Sequence, residues 1–343
     1  MFLSFIVPVY NVEQYVGECL DSLLDQDIPW EDYEIICVND GSTDESLAVL
    51  RQYADRYTNI RLIDKPNGGV ASARNAGFDA AQGDYLWFVD SDDFIQKNFL
   101  SQLRTEAVSC DVVDFGAYVF REELSQEERE AMWAGTQRPT SYANYVYVTR
   151  SIYKYIFLKE HGIRFDEQLA FSEDGIFSCN CLVQNAKRTR IEKTGYYFRQ
   201  RPGSATAIHT TLVQEKKLNS WCIAACCLKD MYEMCDGSHK AIVADLLMAN
   251  LWYTLHGITM AKPEHGRKTM RELRKHGLFP FVRPKECTLR KSYNTTRTDF
   301  LGKLYDRMYI NLHRPWGFAA MILYHAVWDL MHKKQNDGVN PRD

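Results

Sequence analysis

Three aspartates within four residues, Asp90, Asp92 and Asp93, follow directly on the apolar run Tyr85-Leu86-Trp87-Phe88-Val89. Carboxylates crowded in this way repel one another, which raises their pKa values and costs stability unless a cation intervenes. A hard divalent ion, Mn2+ or Mg2+, prefers oxygen ligands and shares them readily with phosphates. The alternative is a solvated acidic turn that caps a helix beginning after Phe94. An acidic run alone suits the turn better; its position at the end of a strand in an open sheet favours the ion.

Three further positions could do chemistry with it. Asp40 lies in Asn39-Asp40-Gly41, a good turn by itself, yet an aspartate there can also accept the N3–H of a uracil. Arg74 follows the Gly68-Gly69 break and can donate to a base carbonyl or a phosphate. Far downstream stand Glu173 and Asp174, in Phe171-Ser172-Glu173-Asp174-Gly175. Two acids opening a helix are welcomed by its dipole; the functional alternative is a general base. Direct displacement at a sugar carbon needs a carboxylate to take the proton of the incoming hydroxyl. It also needs charge stabilisation on a departing diphosphate, which a metal supplies as a Lewis acid. A metal-type cluster with a separate carboxylate provides both parts. No Ser-His-Asp or Cys-His arrangement gives a comparable signal.

These residues are far apart in sequence, so a scaffold must gather them. Leu3 to Val7 is a continuous apolar run, as a buried parallel strand would be. Val12, Tyr15, Val16, Cys19, Leu20, Leu23 and Leu24 then recur at helical spacing. Tyr33 to Val38 is a second strand, and Ser42-Thr43-Asp44-Glu45 has the capping-box pattern of a second helix. Ile60 to Ile63 is a third strand. A break at Pro66-Asn67-Gly68-Gly69 leads into an Ala-rich helix from Val70, and Tyr85 to Val89 is a fourth strand. Alternating strands and helices predict an α/β fold, an open, mainly parallel sheet with helices on both faces. Such sheets bind ligands at the carboxyl ends of their strands. Pro8, Tyr10 and Asn11, then Asn39, Asp40 and Gly41, then Asp90, Ser91, Asp92 and Asp93 all fall at those ends. The charged stretch from Arg121 to Pro139 reads as a surface loop. After Thr206 strand signals fade, and Leu218 to Met234 and Ala241 to Leu255 are helical. The boundary predicts a catalytic unit over 1–205 and a mainly helical C-terminal region over 206–343. No internal repeat is visible.

Composition narrows the class. The chain has 343 residues, with 45% hydrophobic and 13% aromatic content, ample for a packed core. A formal net charge of -4 argues against a nucleic-acid binder. Charge is uneven: from Lys262 to Arg314 fourteen Lys/Arg face five Asp/Glu. Such a block suits either a solvated helical face or an anionic surface such as lipid headgroups. The ten cysteines form no metal or disulfide framework and read as core thiols, which fits a reducing, cytoplasmic setting. The opening Phe2-Leu3-Ser4-Phe5-Ile6-Val7 lacks the features of a signal peptide. No apolar stretch is long enough to span a membrane. Trp316 to Met331, which carries His325 and Asp329, comes nearest and reads as a packing helix; the alternative is a helix lying on a membrane.

Four segments together resemble the family 2 glycosyltransferases of GT-A fold: Val7-Pro8-Val9-Tyr10-Asn11, Val38-Asn39-Asp40-Gly41-Ser42-Thr43-Asp44, Asn67-Gly68-Gly69-Val70-Ala71-Ser72-Ala73-Arg74-Asn75 and Phe88-Val89-Asp90-Ser91-Asp92-Asp93. Any one alone is weak; all four occur in order. The resemblance covers residues 1–205 and implies a Rossmann-like mixed sheet. It implies that Pro8, Tyr10, Asn11 and Asn67 line a nucleotide-sugar pocket and that Asp40 holds the base. Arg74 would assist at the base or diphosphate, Asp90 and Ser91 at the ribose or sugar. Asp92 would bind Mn2+ or Mg2+. Asp174 would be the catalytic base, supported by Glu173, and transfer would proceed with inversion. His209, after Arg201-Pro202-Gly203-Ser204-Ala205-Thr206, matches a histidine that some relatives use as an extra metal ligand; a lone histidine is more often structural. Family habit implies a uridine nucleotide, with guanosine and thymidine as alternatives. It also implies a glycan or lipid-linked glycan acceptor in bacterial surface polysaccharide synthesis. Peripheral contact with the inner membrane face and homo-oligomerisation stay open.

The chain departs from processive members, which carry a Gln-x-x-Arg-Trp motif and membrane spans; repeated addition down a channel is not expected. A dinucleotide oxidoreductase would need a Gly-rich fingerprint after the first strand, where Pro8-Val9-Tyr10-Asn11 stands. A sugar-1-phosphate nucleotidyltransferase would need a Gly-rich basic loop there. A non-catalytic nucleotide-sugar binder or scaffold is the remaining rival. Loss of Asp92 or Asp174 would favour it, and both are present.

Overall fold

A continuous apolar run can be buried throughout only where both faces of a strand are covered, and Leu3–Val9, strand β1, meets that condition at all seven residues. The structure, a computed structural model, describes residues 1–121, 126–133, 147–201, 211–279 and 284–287. It divides into two compact units, Met1–Ile208 and His209–Asp343.

The first unit is built on one sheet. Its strands are β1, β2 (Tyr33–Asp40), β3 (Ile60–Lys65), β4 (Tyr85–Phe88), β5 (Phe94–Ile95), β6 (Val112–Arg121), β7 (Ser151–Lys154) and β8 (Arg188–Gln200), in the order β3-β2-β1-β4-β7-β6-β8-β5. The first four run parallel. β7 is antiparallel to β4 and β6, β8 is parallel to β6, and β5 is antiparallel to β8. The helices of this unit are α1 (Val16–Leu24), α2 (Ser46–Arg56), α3 (Val70–Ala80), α4 (Leu100–Ala107), α5 (Gln126–Trp133), α6 (Tyr155–Glu160) and α7 (Glu173–Val183). The mixed α/β sheet, parallel pairs in the majority, is the one that the strand–helix alternation predicts.

Alternation along the strands divides the core between two faces. Phe5, Val7, Trp87 and Val89 join Leu20 and Leu23 of α1 and Leu103 of α4 on one side. Ile6, Ile36, Val38 and Phe88 join Ala73 and Phe78 of α3 and Phe177 of α7 on the other. Trp87 meets Phe115 edge to face at 4.7 Å, and Phe165 stacks on Phe177 at 4.4 Å. Burial of each large side chain stabilises by roughly 1.5–3 kcal/mol. Proline is unusual in a central strand because it cannot donate to the ladder. Ile6 gives its carbonyl to the N–H of Val89 at 3.0 Å, and Pro8, two residues on, faces the same side, beyond the last β1–β4 pair, Ile6 with Phe88. Its missing donor therefore breaks no bond.

Several sequence expectations need correction. α1 starts at Val16; Val12 is a core residue in the turn before it. α2 is not opened by a capping box. Asp44 Oδ1 accepts the N–H of Ser46 at 3.0 Å, while Glu45 gives its N–H to Glu13 at 2.8 Å. No helix begins directly after Phe94, which belongs to β5 and pairs with Tyr197 of β8; the next helix, α4, starts only at Leu100, so the acidic turn is no helix cap. The stretch from Arg121 is not wholly irregular either: Arg121 ends β6, α5 follows, and Met132 is buried. Residues 122–125 and 134–146 lie outside the described residues.

In the second unit, α8 (Thr211–Met234), α9 (Gly237–Met260) and α10 (Pro263–Lys275) are long helices, in line with the apolar periodicity there. On α10, Arg267, Lys268, Arg271, Arg274 and Lys275 are exposed. No helix among the described residues is long and apolar enough to cross a membrane. Trp316 to Met331, and the basic block beyond residue 287, lie outside the described residues.

Gly77 sits where α3 crosses β1. A Cβ there would lie 2.4 Å from Cγ2 of Ile6. Gly77→Ala is expected to cost about 1–3 kcal/mol, the usual penalty of overpacking, measured as a lower midpoint in urea unfolding. An unchanged midpoint would mean that α3 is not pressed on the strand.

Candidate active site

Strand order reverses at β1, whose neighbours are β2 and β4, so the carboxyl ends of these strands open onto a common crevice. Asp40 is itself the last residue of β2, two residues later than the apolar run predicts. Asp40 is 3% exposed, and its carboxylate is tied to Lys65 and to the Gly68-Gly69 loop. Oδ1 accepts from Lys65 Nζ at 2.6 Å and from the N–H of Gly68 at 2.9 Å; Oδ2 accepts from the N–H of Gly69 at 2.8 Å. Asn67, exposed, donates its side-chain amide to the Asp40 carbonyl at 2.9 Å. Gly69 has φ +88, a conformation open chiefly to glycine.

The loops after β1 and β2 are bonded to each other. Asn11, at φ 51, accepts the N–H of Thr43 on Oδ1 at 2.8 Å and gives its own N–H to Ser42 Oγ at 3.2 Å. Val12 N–H reaches Ser46 Oγ at 2.9 Å, and Glu13 N–H reaches Asp44 Oδ2 at 3.0 Å. Tyr10, next to this latch, is half exposed, while Pro8 is buried in β1.

Arg74, on α3, is the hub of the crevice. It is 2% exposed, and its guanidinium bridges three carboxylates. NH2 donates to Asp90 Oδ1 at 2.8 Å, while NH1 donates to Glu173 Oε1 at 3.0 Å and Asp174 Oδ1 at 2.6 Å. The ring of Phe165 lies 5.2 Å from the guanidinium carbon. Nε has no acceptor. The three carboxylates hold the guanidinium charged against its burial. Glu173 and Asp174 open α7 behind Ser172, which takes the left-handed conformation at φ 68, a backbone strain of the kind that collects at functional sites. Burial pushes the Asp174 carboxyl well above the usual carboxylate range; Arg74 works against this, and Glu173 and Asp90 add to it. The Asp174 side chain is still 20% exposed, so it can be reached from the crevice.

The three aspartates after β4 do not form one cluster. Asp90 turns to Arg74. Asp93 turns inward, 2% exposed, and accepts from Tyr196 Oη at 2.6 Å and the N–H of Arg199 at 2.7 Å. Burial, then Asp92 and Asp90, raise its carboxyl well above the usual range. Asp93 is thus a structural carboxylate, and its expected membership of an ion-binding trio is corrected. Asp92 faces the crevice, where Arg201 Nε donates to Oδ2 at 2.7 Å. Burial and Asp90 raise its carboxyl; Arg201 counteracts them. Ser91 between them is buried. The repulsion that the sequence assigned to a metal is met here by arginines as well.

The donor set still fits a divalent ion. Among the described residues no three His, Cys, Asp or Glu side chains gather as a self-sufficient metal cage. Mg2+ and Mn2+ of this kind usually take one or two carboxylates and complete their shell with substrate phosphates and water. Asp92, whose Oδ1 has no partner among the described residues, offers such a carboxylate. His209 lies outside the described residues.

Sequence reasoning missed Tyr196, Arg199, Arg201 and Lys65. The first three come from the end of β8, where register shifts on either side of Gly116 leave extra residues in β8 and re-aim the strand. Arg199 Nε reaches the Asp92 carbonyl at 2.8 Å and its guanidinium also pairs with Glu18. Both arginines pack on the ring of Tyr15. Their spacing, i and i+2, is the one signal available: it puts both on the same side of a strand.

Comparison with known proteins follows this geometry. Residues 4–165 match the family model described as glycosyl transferase family 2. The chain is 36% identical over 219 residues to "Uncharacterized glycosyltransferase EpsJ" of Bacillus subtilis (strain 168), covering 60% of this chain and 63% of that one. It is 32% identical over 207 residues to a poly(ribitol-phosphate) beta-glucosyltransferase of Bacillus spizizenii, covering 58% and 32%. The chain therefore spans between about a third and three-fifths of the length of these relatives. Among solved structures it is similar to Staphylococcus aureus TarS 1-349 in complex with UDP-GlcNAc, with a TM-score of 0.67 at 21% identity over 96% of this chain and 92% of that one. That likeness bears on the fold.

Removing the hub tests its weight. Arg74→Leu leaves buried carboxylates without their cation and is expected to cost about 3–5 kcal/mol in urea unfolding at pH 8. Without the guanidinium the already raised Asp174 carboxyl rises further, so on acidification to pH 5 it takes up a proton more readily than in the wild type and the loss shrinks. A loss equal at both values would mean that charge is not the cause.

Proposed function

We propose, from the match of residues 4–165 to the model described as glycosyl transferase family 2 and from the geometry of the crevice, that this chain is an inverting, metal-dependent glycosyltransferase. It moves a sugar from a nucleotide-sugar, a uridine nucleotide first, to a hydroxyl of a glycan or lipid-linked glycan in surface polysaccharide synthesis. The observation that carries this reading is the Arg74 bridge, which draws Asp90 at the end of β4 and Glu173 and Asp174 at the head of α7 to one point in the crevice. The names of the relatives support the reaction class and the polymer acceptor.

On this reading Tyr10, Asn11, Asn67 and Asp40 line the base side, with Pro8 behind them. The Asp40 carboxylate, already taking two backbone N–H groups and Lys65, has one lone pair left for a uracil N3–H. Asp90 and Ser91 meet the ribose or the sugar. Asp92 would hold Mn2+ or Mg2+, which offsets charge on the departing diphosphate. Arg201 and Arg199 sit beside Asp92 and supply fixed positive charge to the same region. Asp174 takes the proton of the incoming hydroxyl on the oxygen that Arg74 leaves free. Glu173 shares the Arg74 N–H and keeps the pair oriented. A carboxyl raised by burial is a stronger base than an exposed aspartate, which suits it to an alcohol proton near neutral pH.

All ten thiols are free, which supports a reducing compartment. The exposed cations of α10 support peripheral contact with an anionic membrane. Flotation with anionic vesicles is then expected at low salt and lost at high salt; no flotation at low salt removes the contact. For the chemistry, Asp174→Asn is expected to lower kcat by about 10²–10⁴ while UDP still binds in calorimetric titration with Mn2+. The wild-type kcat is expected to fall on acidification through a pKa above the ~3.9 of a free aspartate, as the base gains its proton. Undiminished transfer by Asp174→Asn would end the assignment.

A further inference from the structure

Exposed aromatic side chains are few at the mouth of the crevice. Of the three largely exposed aromatics among the described residues, Trp30 precedes β2 and so lies at the opposite rim; Tyr10 and Tyr147 lie at the carboxyl-end rim. They stand on opposite sides of the Asp90–Asp93 turn. Tyr10 ends β1. Tyr147 leads through a short 3-10 turn, Val148–Arg150, into β7, which runs antiparallel to β4 and therefore starts where β4 ends. Across the sheet the order is β2, β1, β4, β7. The end of β2 at Asp40 and the start of β7 at Ser151 are three strand spacings apart, about 14 Å, and Tyr147 stands one short turn before Ser151. Tyr147 thus lies across the Asp90–Asp93 turn from Asp40.

The ring is held. Tyr147 is 48% exposed, yet its inner face rests on the guanidinium of Arg150 at 4.4 Å, and Arg150 is 5% exposed. The Arg150 N–H returns to the Tyr147 carbonyl at 3.3 Å, and Thr149 gives its carbonyl to the Trp87 indole N–H at 2.8 Å. The same turn packs against α7, the helix that carries Asp174 at its head. A half-open ring backed by a buried guanidinium, on a turn that touches α7, is a surface for stacking.

We propose that Tyr147 is the platform on which the acceptor's terminal pyranose ring stacks, so that its hydroxyl is presented to Asp174. The inference rests on the glycosyltransferase reading and adds the acceptor class: a ring with an apolar C–H face, which an open-chain polyol phosphate lacks. Stacking on one aromatic side chain is worth about three- to tenfold in affinity.

Saturation-transfer NMR on the full chain with UDP and Mn2+ tests it. The probes are methyl β-glucopyranoside, methyl β-galactopyranoside and methyl N-acetyl-β-glucosaminide, with ribitol 5-phosphate as the open-chain comparison. Saturation is expected to reach the ring C–H protons of at least one pyranoside, to persist in Tyr147→Phe and to fall about three- to tenfold in Tyr147→Ser. The ribitol phosphate signal is expected to be indifferent to both variants. A pyranoside signal unchanged in Tyr147→Ser, none in the wild type, or a ribitol phosphate signal that falls with the serine variant overturns the platform. UDP binding is read separately: if the wild type binds no UDP, the donor reading fails and the platform with it. If UDP binds and no pyranoside does, the platform alone fails.

Discussion

A buried guanidinium must be surrounded by acceptors or it is not tolerated, and in this chain that requirement organises the whole crevice. Arg74 comes from α3, Asp90 from the end of β4, and Glu173 and Asp174 from the head of α7. Close fit of α3 on β1 at Gly77, the apolar β4 beneath Asp90, and the Phe165–Phe177 stack beside α7 all serve to bring these groups within hydrogen-bond reach. The charges then lock what packing has gathered. Two carboxylates that repel each other at the start of a helix become neighbours because one cation answers both, and burial, with their mutual repulsion added to it, leaves Asp174 with a raised affinity for a proton.

Burial also separates the three aspartates that the sequence lists side by side. Asp93 is sealed under Tyr196 and the backbone of Arg199 and serves the architecture. Asp90 is half-committed to Arg74. Asp92 gives one oxygen to Arg201 and, among the described residues, keeps the other free. Three identical side chains thus hold three environments, set by which neighbour each one faces.

The scaffold was largely legible because its signals are local. A continuous apolar run such as Leu3 to Val9 needs two covered faces, and the strand–helix alternation follows from periodicity. The positions of Asp40, Arg74, Asp90 and Asp174 near one another were implied by strand ends and by family likeness; the structure joins Arg74, Asp90 and Asp174, and sets Asp40 against the Gly68-Gly69 loop at the same rim of the sheet. What escaped depends on topology. Lys65 enters through the parallel register of β2 and β3; Tyr196, Arg199 and Arg201 enter because β8 crosses the sheet and bulges beside Gly116. No pattern within ten residues reports such pairings. The helix expected after Phe94 failed for the same reason: β5 is claimed by a strand a hundred residues away. The Ser42–Glu45 capping signature failed because Glu13, from another loop, answered first.

That last exchange belongs to the latch between the loops after β1 and β2, in which Asn11, Val12 and Glu13 bond to Ser42, Thr43, Asp44, Glu45 and Ser46. Two loops tied at so many points behave as one rigid wall. Their conformational entropy is surrendered when the chain folds, not when a ligand arrives. Association on this side of the crevice should therefore proceed without loop reordering, fast and with a small entropic penalty.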